Sequence, residues 1–287
     1  MRHVATLRIG PVGFRIGSDW PGPVDRLRDL YRDYPQPADG IADFNVRLFA
    51  ARPWRRVARP SVMIGGDFTI PDAAPLPLAQ GLLAAEMGMN LQMALAQRRY
   101  LLLHASAVER DGRALLMTGE SGAGKSTLAA LLMTQGWRLM GDEFALLDPM
   151  TGLVHAFPRL VSLKNAAIGV MERAAPGERF GPLLAGTPKG DIRHLVPDAA
   201  SIAAMDAPAI PALLLFPTYG PARAVRPVDP AETFVRLTQA STNYVAMGER
   251  GFDALTTLVR GLPVRAIDYP DTASALALVG TLWSALA

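Results

Sequence analysis

The spacing of apolar and polar positions changes along the chain, and each change predicts an element. Over the first 75 or so residues the apolar runs are short and partly alternating: 4–9, 13–16, 43–49 and 68–70, each bounded by Gly, Pro or Asp. Such runs predict strands, with one helix near 24–31. Pro71-Asp72-Ala73-Ala74-Pro75-Leu76-Pro77 then punctuates the chain. That break predicts a β-rich N-terminal unit over 1–75 and a second unit over 76–287. From 78 to 98 a long helix is expected, with Leu82, Met87, Leu91 and Leu95 near one face. The apolar runs 100–103 and 114–117 predict strands, and Glu109-Arg110-Asp111-Gly112 reads as the turn of a hairpin leading into the second. Beyond residue 150 short strands alternate with Pro- and Gly-rich loops. Helices are expected near 231–239, 252–262 and 271–287. The chain shows no internal repeat and no low-complexity tract.

Composition narrows the class. Of 287 residues 50% are hydrophobic and 19% charged, with a mean hydropathy of +0.18, which describes a folded chain and not a disordered one. Cysteine is absent. Disulfide frameworks, thiolate zinc sites and cysteine nucleophiles are thereby excluded, and a reducing compartment fits. The first eight residues hold no uninterrupted apolar run, so no secretory signal is expected. The charge-free stretch 272–287 is too short to span a bilayer comfortably and reads as a buried helix. The expectation is a cytoplasmic protein with no membrane partner. The net charge of +3 is mild and no basic tail is present, so nucleic acid is not expected as a partner. One segment, Arg52-Pro53-Trp54-Arg55-Arg56-Val57-Ala58-Arg59, concentrates four arginines around a tryptophan. It could grip an acidic peptide or a phosphate backbone; a solvated loop around a packed Trp is the plainer expectation.

Gly119-Glu120-Ser121-Gly122-Ala123-Gly124-Lys125-Ser126-Thr127 carries the chemistry. The pattern G-x-x-x-x-G-K-[ST] between an apolar strand and an apolar helix is a phosphate-binding loop. Its glycines let successive N–H groups point at phosphate oxygens, and the helix dipole adds positive potential. Lys125 would reach the β- and γ-phosphates of ATP, and the Ser126 hydroxyl would ligate Mg2+. Gly136 ends the helix, an apolar strand follows, and Gly141-Asp142-Glu143 places two acids where they could return to the metal. His104, at the end of the run 100–103, could be brought beside the phosphates by strand pairing. All but three of the 29 basic residues are arginine. The exceptions are Lys125, Lys164 and Lys189, and lysine offers a compact point charge where arginine offers a planar fork.

From His104 to Glu143 the chain resembles the kinase domain of HPr kinase/phosphorylase, which phosphorylates a serine of a carrier protein. That family has a histidine one strand before a G-x-S-G-x-G-K-S loop, and an acid pair immediately after the next helix and strand. The wider chain resembles HPr kinase-related kinase A through Leu103-His104-Ala105-Ser106, Ser162-Leu163-Lys164-Asn165, Thr187-Pro188-Lys189-Gly190 and Thr242-Asn243-Tyr244. The first 75 residues do not resemble the N-terminal domain of the HPr enzyme. The resemblance implies an α/β fold: a P-loop kinase core of the HPr kinase/phosphoenolpyruvate carboxykinase type, mixed sheets flanked by helices, with the β-rich N-terminal segment added. A phosphoenolpyruvate carboxykinase itself is disfavoured by length.

The resemblance also implies roles. Asp142 becomes the base for the attacking hydroxyl, Glu143 a direct or water-mediated metal contact, and His104 an assistant near the γ-phosphate or the base. The family's Glu-x-Arg-Gly-Leu-Gly signature, tied to its phosphorylase activity, corresponds here to Phe157-Pro158-Arg159-Leu160-Val161-Ser162-Leu163-Lys164-Asn165, which keeps an arginine but has no glutamate. A kinase without efficient phosphorolysis is therefore expected. Arg159, Lys164 and Lys189 are candidates to meet acceptor or phosphate charge. The expected reaction is transfer of the γ-phosphoryl group of ATP to a serine of a peptide or small protein. A kinase for a free alcohol such as serine or a sugar, and a nucleotide-switched binding protein, are the alternatives. A homo-oligomer is compatible with the resemblance.

Overall fold

The short alternating runs at the start of the chain close into a five-stranded sheet of order β1-β2-β3-β4-β5. The computed structural model describes residues 2–70 and 73–286, so Pro71 and Asp72 of the punctuating stretch lie outside the described residues. Strands β1 (His3–Ile9) and β2 (Val12–Ser18) form a hairpin, and helix α1 (Pro21–Leu30) leads to β3 (Phe44–Ala50), which joins β2 in parallel. Strand β4 (Ser61–Gly66) pairs with β3, and the two-residue β5 (Leu76–Pro77) completes the edge. The run 68–70, expected as a strand, is not one. The Gln92 side chain satisfies the Phe68 backbone instead, accepting from its N–H and donating to its carbonyl, each at 2.9 Å. The β4 strand was hidden by Gly65-Gly66, which have little strand preference.

Helix α2 (Gly81–Ala96) covers this sheet, but not with the predicted face. Met87 and Leu95 are exposed, whereas Leu82, Ala85, Met89 and Met93 are buried. A Cβ on Gly88 would stand 2.4 Å from Val46 Cγ1, so the helix approaches the sheet closely at this glycine, beside the buried Leu82, Met89 and Met93.

The chain continues through β6 (Leu101–Leu103), β7 (Ala105–Arg110), β8 (Arg113–Thr118), α3 (Lys125–Met133), β9 (Arg138–Gly141), β10 (Ala145–Leu147), β11 (Val154–His155), β12 (Val161–Lys164), α4 (Ala166–Ala174), β13 (Leu184–Thr187), β14 (Gly190–Leu195) and α5 (Ala199–Ala203). It ends with β15 (Ile210–Tyr219), β16 (Ala224–Pro227), α6 (Pro230–Ala240), α7 (Tyr244–Met247), α8 (Glu249–Gly261), β17 (Val264–Tyr269) and α9 (Thr272–Ser284). The architecture is mixed α/β: a six-stranded sheet of order β16-β17-β15-β8-β7-β9 with smaller three-stranded sheets beside it. The expected hairpin at Asp111-Gly112 joins β7 to β8, with φ of +55° and +76° at its two central residues.

The large sheet is buried on both faces, which is why its central strands read as unbroken apolar runs. On β8, Leu115 and Met117 pack with α3, α4 and α9, while Ala114 and Leu116 pack with α6 and α8. The same alternation recurs on β15 and β17. Among the described residues no helix is long and apolar enough to cross a membrane.

A buried polar group sits where α2 meets the segment after β11. Arg159, 3% exposed, is ion-paired with Glu86, donates to the Glu86 carbonyl at 3.0 Å and contacts Asn90. Tyr31 Oη donates to the Glu86 carboxylate at 3.3 Å, and Tyr34 Oη to the Pro158 carbonyl at 2.6 Å. His194, on β14, is buried nearby, and burial holds its pKa below the ordinary 6.5 while Glu86 opposes that shift. As pH falls through about 6.5 the unfolded chain takes up this proton before the folded one, so His194 costs stability on the acid side, at most about 1.4 kcal/mol per pH unit. Asp142, whose pKa burial raises, contributes with the opposite sign. The difference between proteins is therefore the readout: urea denaturation of His194→Gln between pH 7 and 5 should show a less positive slope of stability against pH than the wild type. Identical slopes would contradict the assignment.

Candidate functional site

Three strand ends meet at one edge of the six-stranded sheet. Because β7 runs antiparallel to both β8 and β9, its first residues face their last: Ala105 pairs with Thr118, and Ala107 with Gly141. His104, Gly119 and Asp142 thus emerge side by side. Parallel strands β15 and β17 end at the same edge, where Tyr219 pairs with Tyr269. Ligands of open α/β sheets gather at such carboxyl ends.

The loop 119–124 curls there on positive φ at Gly119, Gly122 and Gly124. Gly124 is required twice over. Its φ is +90°, and a Cβ on it would lie 2.3 Å from Tyr269 Oη. Tyr269 donates to the Ala123 carbonyl at 3.2 Å, and burial pushes its pKa up to about 12, which keeps the phenol a donor. Lys125, the first residue of α3, folds back over the loop, its Nζ donating to the carbonyls of Gly119 at 2.7 Å and Glu120 at 2.9 Å. Burial lowers its pKa, and Asp142 and Glu143 oppose that shift.

Asp142 is 2% exposed. Ser106 Oγ donates to Oδ1 at 2.6 Å and the Ser162 N–H to Oδ2 at 3.3 Å. Burial and then Glu143 raise its pKa, while hydrogen bonds from Ser106, Ser126 and Ser162 hold the rise in check. Glu143 has φ of +77°, a left-handed conformation that costs a non-glycine residue about 1–2 kcal/mol. Its carbonyl and carboxylate lie 3.1 and 3.6 Å from His104 Nδ1. Such strain is characteristic of functional sites.

These groups line a cavity of about 450 Å3. The polar lining includes His104, Lys125, Ser126, Asp142, Glu143, Lys164, Asn165 and Asp271; Leu128, Leu131, Ala167, Val170 and Ala275 add an aliphatic part of the wall. Ser121, Gly122, Gly124 and Thr127 also line it. Gly119, Glu120 and Ala123 contribute through the backbone carbonyls just described, not through the wall. Among the described residues no group of three Asp, Glu or His could hold a metal unaided. The Ser126 hydroxyl and the two adjacent carboxylates nevertheless form a hard-oxygen set that fits Mg2+, which ordinarily takes one or two carboxylates and completes its shell with phosphate oxygens and water.

Two candidates lie elsewhere. Arg159 does not reach the cavity, because Glu86 and Asn90 engage its guanidinium in the core. Lys189 stands exposed in the turn between β13 and β14, also outside the lining. Conversely, Tyr219, Tyr269 and Thr272 line the cavity without having been singled out in the sequence, since only the parallel pairing of β15 with β17 brings them to the loop. Ser106, Ser162 and Asn165 stood inside quoted motifs but without a role.

A family model described as SynChlorMet cassette protein ScmC matches residues 82–171, from α2 to α4. No curated protein matches. Among solved structures, the HPr(Ser) kinase/phosphatase from Coxiella burnetii is similar at 18% identity and a TM-score of 0.31, covering 64% of this chain and 93% of that one.

The position of Arg159 has a measurable consequence. Arg159→Ala leaves the Glu86 carboxylate buried without its cation, so urea denaturation should show the unfolding free energy lowered by about 3–5 kcal/mol. Unchanged stability would contradict this placement.

Proposed function

We propose that the protein is an ATP-dependent kinase that transfers the γ-phosphoryl group to a hydroxyl, a serine of a peptide or small protein. The observation that carries this reading is the convergence of a glycine-rich loop, its lysine and a buried, hydrogen-bonded carboxylate on one cavity.

Phosphoryl transfer asks mainly for positioning and charge stabilisation. Amides of the loop and of the α3 N-terminus would hold the β- and γ-phosphates, with Lys125 Nζ exchanging its loop carbonyls for phosphate oxygens. The aliphatic wall from α3, α4 and α9 suits the nucleoside. Asp142 would orient the acceptor hydroxyl and take its proton as the new P–O bond forms and the bond from the γ-phosphorus to the β,γ-bridging oxygen breaks. Its raised pKa makes it a better base than a solvated aspartate, and Ser106 fixes its orientation. His104 and Lys164 line the same cavity, where they can meet charge on the transferred group. Mg2+ held by Ser126, Asp142 and Glu143 would neutralise phosphate charge.

Incubation with γ-labelled ATP and a host lysate, followed by mass spectrometry, should reveal a labelled serine in a peptide or protein. Label only on a free alcohol would identify a small-molecule kinase. No phosphorylated product, with nucleotide-dependent partner affinity, would identify a switch. With the acceptor in hand, Asp142→Asn should lose about 10²–10⁴-fold in turnover while ATP affinity changes little. Normal turnover would refute the assignment of the base.

A further inference from the structure

The arginine-rich segment of the N-terminal unit forms a second concavity, an open groove of about 780 Å3. It shares no lining residue with the cavity at the glycine-rich loop. The structure divides the four arginines by task. Arg56 is the anchor: its guanidinium lies 3.8 Å from Asp19, and its carbonyl accepts from Trp20 Nε1 at 3.0 Å. The short turn 53–56 is thereby tied to the body of the sheet. Arg52, Arg55 and Arg59 line the groove, and among the described residues no carboxylate lines it with them.

The turn also presents Trp54 at 56% exposure, so the loop is solvated as expected but its tryptophan is not packed away. The Arg52 guanidinium lies over its ring, 5.2 Å from the centroid, and Arg55 is braced on the Arg59 carbonyl at 3.2 Å. Pro60 and Pro77 are among the remaining wall, where the two-residue β5 leaves most of β4 without an outer partner. Among the described residues the groove therefore offers three guanidinium groups with no lining carboxylate, around a stiff aromatic and proline surface. Trp and Arg are the residue types that dominate binding energy at protein interfaces.

We infer that this groove docks an acidic peptide segment that carries an aromatic or proline residue among its carboxylates. Arginine forks bind carboxylates in bidentate fashion, and Trp54 gives an apolar side chain a flat face to pack on. A nucleic acid fits less well. Duplex or single-stranded backbones are followed by extended basic stripes, whereas the cations here form one compact set on a chain whose net charge is only +3.

Fluorescence anisotropy on the full chain tests the inference, with a fluorescein-labelled peptide in which Asp and Glu are interspersed with Tyr and Pro. Saturable binding is expected, and it should weaken about tenfold or more in Arg52→Glu/Arg55→Glu and in Trp54→Ala. Affinity for an ATP analogue, bound at the other cavity, should stay unchanged in both, which reports that they fold. Should the double reversal fail to fold, Arg52→Gln at its exposed position takes its place and must also weaken binding. The unlabelled Asn/Gln version of the peptide should not compete. Absence of saturable binding, equal binding by folded variants, or displacement of the peptide by oligo(dT) more effectively than by its own unlabelled form would overturn the proposal.

Discussion

A carboxylate removed from water raises the energy of the fold unless donors converge on it, and Asp142 imposes that demand on this chain. Its hydrogen-bond donors come from different elements: Ser106 Oγ from β7 and the Ser162 N–H from β12. The strand order β8-β7-β9 puts the first of these beside Asp142, and β12 packed against α3 brings the second. The same convergence leaves Lys125 partly desolvated within reach of the acid's field. The geometry that stabilises the acid is thus also the geometry that places a carboxylate, a cation and a glycine-rich loop around one cavity.

The two kinds of basic residue divide the work in a way their chemistry explains. Arginine's planar fork suits buried or partly buried pairs, as in Arg159–Glu86 in the core and Arg138–Glu109 at 2.5 Å on the sheet. Lysine's compact charge appears in the cavity at Lys125 and Lys164. Residue type did not decide Lys189, whose turn stands outside the lining.

Features written in consecutive residues were legible from the sequence. The loop 119–127, its flanking strand and helix and the hairpin at Asp111-Gly112 all follow from local rules about glycine, proline and apolar runs. Features that depend on a distant partner were not. Arg159 stands in a motif-like window, yet its partner Glu86 lies on a helix read only for its apolar face. The side chain of Gln92 replaces a strand at Phe68, and Tyr269 reaches the loop only through the pairing of β15 with β17. The apolar residues of α2 fall on more than one face, so their spacing alone did not show that Met89 and Met93 are buried while Met87 and Leu95 are exposed.

The most direct measurement is a crystal structure of the protein with Mg2+ and a non-hydrolysable ATP analogue. The β- and γ-phosphates should lie on the amides of 122–126, and Lys125 Nζ should have left the carbonyls of Gly119 and Glu120 for phosphate oxygens. Asp142 and Glu143 should stand within direct or single-water contact of the metal, with His104 at the γ-phosphate end. A nucleotide bound away from this sheet edge, or an acid pair turned from the phosphates beyond one bridging water, would contradict this arrangement.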